Sequence, residues 1–186
     1  SDGTGALGFG NEDESPLPQP VLGLHGSAVA AGSSLSLALD DDGRAWGWGH
    51  GGFGQLGDGA AVDGWSPVVS PDLAGLVDLA AGGAHALAVD DAGVVWSWGV
   101  NDFGQLGRVV GSQRSPGIVT ELPEQAVAVA GGGSHSLALL SDGSVYAWGL
   151  NHRGQLGDET VIDAAEPVKA SVVGTFVAVA AGGASS

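Results

Sequence analysis

The chain has 186 residues, including 35 glycines, and contains no cysteine and no methionine. The lack of cysteine excludes a disulfide framework and a thiolate metal site, and the short apolar runs exclude a membrane-spanning helix. The formal net charge of −16, with five Lys and Arg against 21 Asp and Glu, disfavours binding to nucleic acid or an anionic membrane and favours a basic protein partner. The alternative is that this acidity only keeps a chain rich in Gly and Ala in solution.

A unit of about fifty residues is written three times along the chain. Its clearest marks are Trp-Gly at 48–49, 98–99 and 148–149, and Gly-Gln-Leu-Gly at 54–57, 104–107 and 154–157. Such a period indicates one supersecondary unit stacked on its copies. We predict complete repeats at 31–80, 81–130 and 131–180, with partial repeats at 1–30 and 181–186. Residues 5–8 take the place of Gly-Gln-Leu-Gly in the first partial repeat, and we expect the chain to be a piece of a longer protein.

Each repeat predicts four short strands in the same order. The first is an apolar run, at 28–30, 77–80, 127–130 and 177–180. The second and third alternate with period two, at 35–39 and 44–48, 85–89 and 94–98, and 135–139 and 144–148. A fourth begins with proline, at 67–69, 116–119 and 167–168. Four short antiparallel strands per repeat predict the blade of a β-propeller.

The second and third strands predict a hairpin in which neither face is polar. Asp42-Gly43 and Asp142-Gly143 are typical of a two-residue type I′ turn, whereas Ala92-Gly93 suits that turn less well and suggests a longer loop. The alternation along these strands places Leu37, Trp46 and Trp48 on a bulky face. The small face then carries Ser36, Ala38, Ala45 and Gly47. The bulky face of one blade is expected to cover the small face of the next.

Two kinds of recurrent polar residue, a glutamine and a histidine, have a structural and a functional interpretation. Gln55, Gln105 and Gln155 are expected to satisfy backbone groups of their own loops, with ligand contact as the alternative. His85 and His135 are expected to be structural, because no third and fourth donor accompanies them as a metal site requires. No phosphate-binding loop is present. The sequence therefore predicts no metal, no cofactor and no catalytic residue, and thus no enzyme.

The third repeat resembles the regulator of chromosome condensation (RCC1) repeat family. The resemblance rests on Ala-Gly-Gly-x-His-Ser-Leu-Ala-Leu, Asp-Gly-x-Val-Tyr-x-Trp-Gly and Asn-x-x-Gly-Gln-Leu-Gly, read between Ala130 and Gly157. It implies an all-β, seven-bladed propeller of four-stranded antiparallel blades, with about half of the ring present. A half ring needs the rest of its own propeller or another chain. The sequence leaves the compartment open, with a soluble cytoplasmic or nuclear protein favoured.

The resemblance implies several roles, of which a non-catalytic scaffold that binds a protein partner is the one we expect. The alternatives are a guanine-nucleotide exchange factor for a Ran-type GTPase and a regulatory propeller of a larger multidomain protein. Exchange members place His and acidic residues in the slots that match 32–35, 82–85, 132–135 and 182–185. Here these slots hold His85 and His135 but no Asp or Glu, and no repeat is long enough for an inserted wedge.

Positions that differ between the copies are the candidates for partner contact, because shared positions build the scaffold. These candidates are Trp65, Arg108, Arg114, His152, Arg153, His50 and Asp102. Trp65, Arg114 and Arg153 are the strongest of these candidates, since Trp and Arg are enriched in interface hot spots. Arg108, Arg114 and Arg153 are also expected to form a small basic spot on an otherwise acidic chain. Trp65 could equally pack beneath its loop. The hairpin acids at 40–42, 90 and 91 are interpreted as solvated turns.

Overall fold

The computed structural model describes residues 3–10, 15–21, 23–71, 73–109 and 111–183. Within these ranges the chain forms twelve β-strands and no helix, so none that could span a membrane. The strands make three four-stranded antiparallel sheets, each from one continuous stretch of chain. The predicted all-β architecture of four-stranded blades is confirmed.

The three sheets, here called blades 1, 2 and 3, repeat the same strand pattern. Blade 1 contains β1 (Gly26–Ala31), β2 (Leu35–Asp40), β3 (Ala45–Gly49) and β4 (Gly64–Val69). Blade 2 contains β5 (Leu76–Ala81), β6 (His85–Asp90), β7 (Val95–Gly99) and β8 (Gly117–Ile118). Blade 3 contains β9 (Ala126–Gly131), β10 (His135–Leu140), β11 (Val145–Gly149) and β12 (Ala164–Lys169). The fifty-residue spacing of the sequence is thus reproduced in the strands.

Strands pair in chain order within each blade, so the first and fourth strands form its two edges. The first strands of neighbouring blades pack together, β1 against β5 and β5 against β9, which places them on the inner side of the arc. Glycine is needed there because the backbones nearly touch: a Cβ on Gly32 would lie 2.3 Å from the carbonyl oxygen of Gly82. The fourth strands, β4, β8 and β12, lie on the outside.

The turn that joins the second and third strands differs from the prediction. Gly43 has a positive φ of 72°, but Asp42 does not, and Gly43 N–H donates to the Asp40 carbonyl over 3.0 Å. Asp40 N–H also donates to the Arg44 carbonyl, which leaves a three-residue loop. The connection is therefore a three-residue hairpin loop whose last residue, Gly43, has a positive φ, and it is not a two-residue type I′ turn. Blade 2, with Ala92, has the same turn, so the longer loop predicted there is present, but all three blades share it.

The three-residue loop shifts the pairing by one residue and changes the faces. A two-residue turn at 42–43 would set Leu37 opposite Trp48, whereas Ser36 is opposite Trp48 and Ala38 opposite Trp46. Opposed residues lie on the same face of a sheet. The predicted bulky and small faces were therefore wrong. One face, the leucine face, combines large residues of β2 with small ones of β3, and the other, the tryptophan face, combines Ala38 with the two tryptophans.

Adjacent blades stack leucine face against tryptophan face. Leu35, Leu37 and Leu39 of blade 1 share a buried cluster with Ala86, Ala88 and Trp98 of blade 2. Leu87 and Val89 of blade 2 share the next cluster with Ala138, Leu140 and Trp148 of blade 3. Large side chains therefore do meet small ones across each seam, as predicted, but each face contributes both sizes.

Two strand predictions need correction. The fourth strand does not begin with proline in blades 1 and 3, where β4 and β12 start three residues before Pro67 and Pro167. Proline is tolerated inside these strands because they are sheet edges with one unpaired side. Residues 177–180 form no strand, although Phe176 and Val179 pack against blade 3. In the other blades this strand pairs with the second strand of its own sheet.

The strand directions give every blade two different ends. The turns at 41–44, 91–94 and 141–144 and the connections to the next blade lie at one end, here called the turn end. The long loops between third and fourth strands, at 50–63, 100–116 and 150–163, lie at the other, here called the loop end. All the candidate contact residues are in or beside these long loops.

Candidate functional site: the loop end

A buried glutamine holds each long loop. The Oε1 atoms of Gln55, Gln105 and Gln155 accept the backbone N–H of the residue two positions earlier, over 3.0, 2.9 and 2.9 Å respectively. The three glutamines are only 2–5% exposed. Their role is therefore to satisfy loop backbone, as the repeat predicted. The donor residues are Phe53, Phe103 and Arg153, whose side chains are left exposed.

The same loops join neighbouring blades. Trp98 Nε1 donates to the Gln55 carbonyl over 3.0 Å, and Trp148 Nε1 donates to the Gln105 carbonyl over 2.9 Å. Trp48 Nε1 makes the equivalent bond to the Ala6 carbonyl over 3.0 Å. This last bond places residues 5–8 in the Gly-Gln-Leu-Gly position, in agreement with the sequence comparison. The loop end is thus fixed to the blade seams and is not a free flap.

Two asparagines that the candidate residues did not include, the half-buried Asn101 and the buried Asn151, complete the loop framework. Asn101 and Asn151 Oδ1 accept the backbone N–H of Leu106 and Leu156 over 2.8 and 2.9 Å. Asn151 Nδ2 also donates to the Thr160 and Ile162 carbonyls. The signal was the Asn that opens Asn-x-x-Gly-Gln-Leu-Gly, which recurs in two copies and is replaced by Gly51 in the first.

Arg108 is not a surface residue, and its place in the basic spot was wrong. It is 8% exposed, and its guanidinium donates to Ser97 Oγ and to the Ser97 and Ser112 carbonyls. Gly117 is needed beside it, because a Cβ there would lie 2.6 Å from Arg108 Cζ. Burial lowers the pKa of this guanidinium. Arg108 organises the inside of the blade 2 loop and cannot be the first point of contact for a partner.

Trp65 and Arg114 occupy matching positions on successive seams. Trp65 Cα lies 2.7 Å from where a Cβ of Gly5 would be, and Arg114 Cα lies 2.4 Å from the same point on Gly54. Trp65 is half-buried, so it combines packing with exposure, while Arg114 is exposed. The Arg114 carbonyl accepts Gly59 N–H over 3.0 Å, which fixes its backbone across the seam.

The remaining candidates lie on separate loops. His50 is half-buried: its Nδ1 is 2.6 Å from Gln55 Nε2 and its ring centroid is 5.6 Å from that of Phe53. Asp102 is exposed on the blade 2 loop. His152 and Arg153 are exposed on the blade 3 loop, where Arg153 Nε donates to His152 Nε2 over 3.4 Å. The structure therefore brings Arg153 beside His152 and seats Arg114 beside the His50 loop, but it does not gather all the candidates into one pocket.

Two exposed aromatic side chains were missed as candidates. Phe53 is 58% exposed and Phe103 is 43% exposed. The hydrogen bonds to Gln55 and Gln105 involve only the backbone N–H of these residues and leave their side chains free of that contact. The signal was present, because the position reads Phe, Phe and Arg in the three copies. Large apolar side chains held in water on a fixed loop are typical of a protein interface.

His85 and His135 lie inside the molecule and do not reach a partner. Both are 0% exposed. His85 Nε2 is 2.9 Å from Ser136 Oγ, and Ser136 Oγ donates to the Gln105 carbonyl. A serine hydroxyl has one hydrogen, so His85 must donate through Nε2–H. Burial, together with the nearby His135, lowers the pKa of His85 to about 4, so it is neutral near pH 7.

The described ranges contain no group of three or more His, Asp or Glu arranged to hold a metal ion. The fourth predicted slot ends at Ser185, which lies outside the described residues. What the loop end offers chemically is therefore a fixed backbone with exposed aromatic, cationic and acidic side chains.

The sequence profile of the Regulator of chromosome condensation (RCC1) repeat matches residues 42–89, 92–139 and 142–186, and a second profile of the same repeat matches 27–55, 76–105 and 126–155. The chain belongs to the RCC1-repeat family. The three matched units cover most of the chain and coincide with the three-fold pattern of the blades.

Individual relatives match shorter stretches. The human Regulator of chromosome condensation is 42% identical over 66 residues, which is 34% of this chain and 16% of that protein. The Ultraviolet-B receptor UVR8 of Arabidopsis thaliana is 39% identical over 62 residues, 32% of this chain and 14% of that protein. The human E3 ubiquitin-protein ligase HERC2 is 38% identical over 62 residues, 31% of this chain and 1% of that protein. The matches thus span only a small part of these relatives.

Solved structures match over longer stretches. Prp20p of Saccharomyces cerevisiae superposes with a TM-score of 0.72 at 25% identity, over 86% of this chain and 42% of that one. Human WBSCR16 superposes with a TM-score of 0.65 at 23% identity, over 89% of this chain and 57% of that one, and shows the fold alone. The propeller arrangement of the blades is therefore shown, while the seven-bladed count stays a prediction.

Proposed function

We propose that the chain is a non-catalytic protein-binding module that contacts its partner through the loop end of the blades. The observation that carries the proposal is that shared residues of the long loops hold the backbone while several variable residues are exposed to solvent. Residues common to the copies, above all the clamping glutamines, hold the backbone from inside. Several residues that differ between the copies, including Arg114, His152 and Arg153, are exposed on that fixed backbone, whereas Arg108 is buried within it. Variable side chains on a rigid frame are the usual basis of specific recognition.

The exposed residues have the composition of a contact surface. Phe53, Phe103, Arg114 and Arg153 are exposed at the loop end, with Trp65 half-buried beside them. Aromatic residues and Arg carry most of the binding energy in protein interfaces. A loop fixed before binding also loses little conformational entropy when the partner docks. Because the chain as a whole is strongly acidic, its net charge still favours a basic partner.

A pull-down with matched variants tests this proposal. The loop-end variant carries Arg114→Ala, His152→Ala and Arg153→Ala, and the control carries Asp41→Asn and Asp91→Asn at the turn end. We expect proteins captured by the unaltered chain to be retained by the control and reduced at least fivefold by the loop-end variant. Each retained interaction is then measured with purified partner. Equal loss in both variants, or none in the loop-end variant, would place the contact elsewhere.

The second candidate is nucleotide exchange, which is favoured by the similarity to the Regulator of chromosome condensation and to Prp20p, a protein described as binding Gsp1p and histones. Against it, His85 and His135 of the exchange slots are buried. A fluorescent-nucleotide release assay with a Ran-type GTPase decides between the two. We expect the release rate to stay at its spontaneous value, and acceleration by this chain would establish exchange.

The third candidate is a regulatory propeller within a larger protein, for which the similarity to HERC2 is the supporting observation. This candidate is compatible with the first, because a regulatory propeller also works by binding. The sequence of the intact polypeptide tests it directly. A catalytic domain in the same polypeptide would support the regulatory role, and its absence would leave the binding module as a separate protein.

A further inference from the structure

A chain of hydrogen bonds runs from the buried His85 to the exposed Phe103 across the seam between blades 2 and 3. His85 Nε2 donates to Ser136 Oγ over 2.9 Å, and Ser136 Oγ donates to the Gln105 carbonyl over 2.7 Å. The side chain of the same glutamine accepts Phe103 N–H through Oε1 over 2.9 Å. His85 and Ser136 are 0% exposed, whereas Phe103 is 43% exposed. A histidine of the seam is therefore linked to a contact residue of the loop end.

The seam between blades 1 and 2 has an apolar pair at the same place. Leu35 stands in the position of His85 and Ala86 in that of Ser136, and both enter one buried apolar cluster. The blade 1 loop is otherwise held in the same way, by its glutamine and by the indole N–H of the next blade. The fold therefore accepts leucine and alanine here, so packing alone does not require the histidine and the serine.

The seam accommodates His85 only as the neutral ring. Nε2 uses its hydrogen on Ser136, and Nδ1 has no hydrogen-bond partner among the described residues. A proton added to Nδ1 would therefore be a buried N–H without an acceptor, on a charged ring that solvent does not reach. Burial, together with the charge of His135, lowers the pKa of His85 to about 4, although a backbone hydrogen bond with His135 acts in the opposite direction.

The described groups packed around this ring offer it no opposite charge. Gly99 lies opposite His85 on β7, and the ring fills the space beside Gly82, where a Cβ would collide with it. Across the seam, Ser136 is neutral, and the titratable neighbour on β10 is His135, whose positive charge would oppose protonation of His85. Protonation therefore favours a ring that has left the seam, and this movement removes the donor from Ser136.

We propose that His85 and Ser136 are positioning residues for the blade 2 loop of the contact surface, and that acidification releases this loop by withdrawing His85 from the seam. The inference rests on the proposed function, because it names a control over the same surface. Once the ring has left, the Ser136 hydroxyl is no longer oriented toward the Gln105 carbonyl. The glutamine that holds Phe103 then keeps only the bond from Trp148 Nε1 at that carbonyl. The blade 1 loop, which is held across an apolar pair, lacks this response.

Amide hydrogen exchange measured by NMR tests the release without any partner. We expect the protection factor of Phe103 N–H to fall between pH 7 and pH 4, by up to about a hundredfold, because the pKa of His85 rises from about 4 to about 6.5 when the ring leaves the seam. Phe53 N–H, which Gln55 holds over 3.0 Å, is the matched control within the molecule and should change by less than about threefold. Equal changes at the two amides, or none at Phe103, would overturn the inference.

Two variants separate the hydrogen-bonded link from the titration of the histidine. The double variant His85→Leu with Ser136→Ala copies the seam between blades 1 and 2, and exchange at Phe103 should then no longer depend on pH beyond the intrinsic rate. Ser136→Ala alone keeps a histidine that titrates, so stability toward urea should still depend on pH while the protection of Phe103 does not. His25→Gln, at an exposed histidine, should behave as the unaltered chain does. A pH dependence at Phe103 that persists in the double variant would contradict the role of His85.

The imidazole nitrogen shifts of His85 test the first link directly. At pH 7 they should place the ring hydrogen on Nε2, and a hydrogen on Nδ1 would refute the chain of hydrogen bonds. These measurements use no partner, so their failure would remove the pH control and leave the proposed function standing. Exchange that responds as expected, with the captured proteins insensitive to the loop-end variant, would refute the proposed function and not the release of the loop.

Discussion

One carboxylate at the end of β6 serves both the turn and the sheet. Asp90 Oδ1 accepts the backbone N–H of Ala92 and Val94, and Oδ2 accepts Trp96 Nε1 over 3.0 Å. Asp40 does the same in blade 1 with Trp46. In blade 3 both members change together, to Leu140 and Tyr146, and Leu140 is buried in the core. The acid is thus one half of a pair whose other half lies six residues later.

The pair predicts a specific loss of stability. Asp90→Ala leaves two turn amides and one indole N–H without their acceptor, and should lower the free energy of unfolding by about 1–3 kcal/mol. Asp91→Ala, on the exposed neighbour, should change it by less than about 0.5 kcal/mol. Urea unfolding followed by tryptophan fluorescence measures both. The double variant Asp90→Leu with Trp96→Tyr copies blade 3 and should be more stable than the sum of its single changes, whereas strict additivity would show that the pair is not coupled.

The burial of His85 predicts a dependence of stability on pH. Its pKa is about 4 in the folded chain and about 6.5 when unfolded. Between these values the unfolded chain binds more protons, so stability is complete above pH 6.5 and falls as the pH is lowered to 4. The expected loss is about 3 kcal/mol from this residue. It arises because an imidazolium with no water around it is disfavoured inside the seam.

Leucine is the natural replacement for this histidine, because Leu35 occupies the same position in blade 1 and is 2% exposed. The difference in unfolding free energy between the unaltered chain and His85→Leu should change by about 3 kcal/mol between pH 6.5 and 4. Exposed His152, changed to Gln, provides the control. Parallel pH curves for the unaltered chain and His85→Leu would contradict the assignment.

At the scale of the strands, the sequence was sufficient for the order and spacing of the strands in the three blades, because period-two alternation and Trp-Gly marks recur at a fixed interval, although the strand predicted at 177–180 is not formed. It was not sufficient for the faces. Asp-Gly suits more than one short turn, and a change of one residue in loop length moves every side chain of a strand to the other face. The same three-residue loop forms in blade 3, where Leu140 replaces the acid, so the carboxylates of Asp40 and Asp90 support the turn but are not required for it.

The loop end shows the same limit. The clamping role of the glutamines followed from their recurrence, since a side chain needed in every copy is usually part of the scaffold. Arg108 was misassigned because it differs between copies and is charged. Its burial depends on the neighbouring serines and on Gly117 leaving space for the guanidinium. Variation between repeats therefore marks a change of local packing as well as a change of partner contact.

The seam between blades predicts the effect of enlarging its small residues. Ala88 and Ala138 are 0% exposed and sit in the clusters that join blades 1 and 2 and blades 2 and 3. Ala88→Leu or Ala138→Leu would force apart faces that are already in contact, and should cost about 1–3 kcal/mol in urea unfolding. Ala92→Leu on the exposed turn should have little effect. Variants as stable as the unaltered chain would show that the seam is loosely packed.

Over the whole molecule, the charges are unevenly divided between the two ends of the blades. Among the described residues, six exposed acids lie at the turn end and three in the long loops: Asp41, Asp42, Asp91, Glu121, Glu124 and Asp142 against Asp102, Glu159 and Asp163. Three of the five basic residues, Arg108, Arg114 and Arg153, are in the loops of the other end. Arg44 is the cation in the turns themselves, and it pairs with Asp40 and Asp42. The turn end is thus a region of mutual repulsion within a chain of net charge −16.

This imbalance predicts that salt stabilises the folded chain. Folding brings the acids closer together than they are in the unfolded chain, and the repulsion is felt over about 30 Å at 0.01 M salt but about 8 Å at 0.15 M. The Tm measured by calorimetry at pH 7 should therefore rise between these concentrations, by roughly 2–4 °C for each kcal/mol of repulsion removed. A variant with Asp41→Asn, Asp91→Asn and Glu124→Gln should have a higher Tm at low salt and a smaller rise. A Tm that falls as NaCl is added would instead mean that attractive pairs such as Arg44 with Asp40 outweigh the repulsion between the carboxylates.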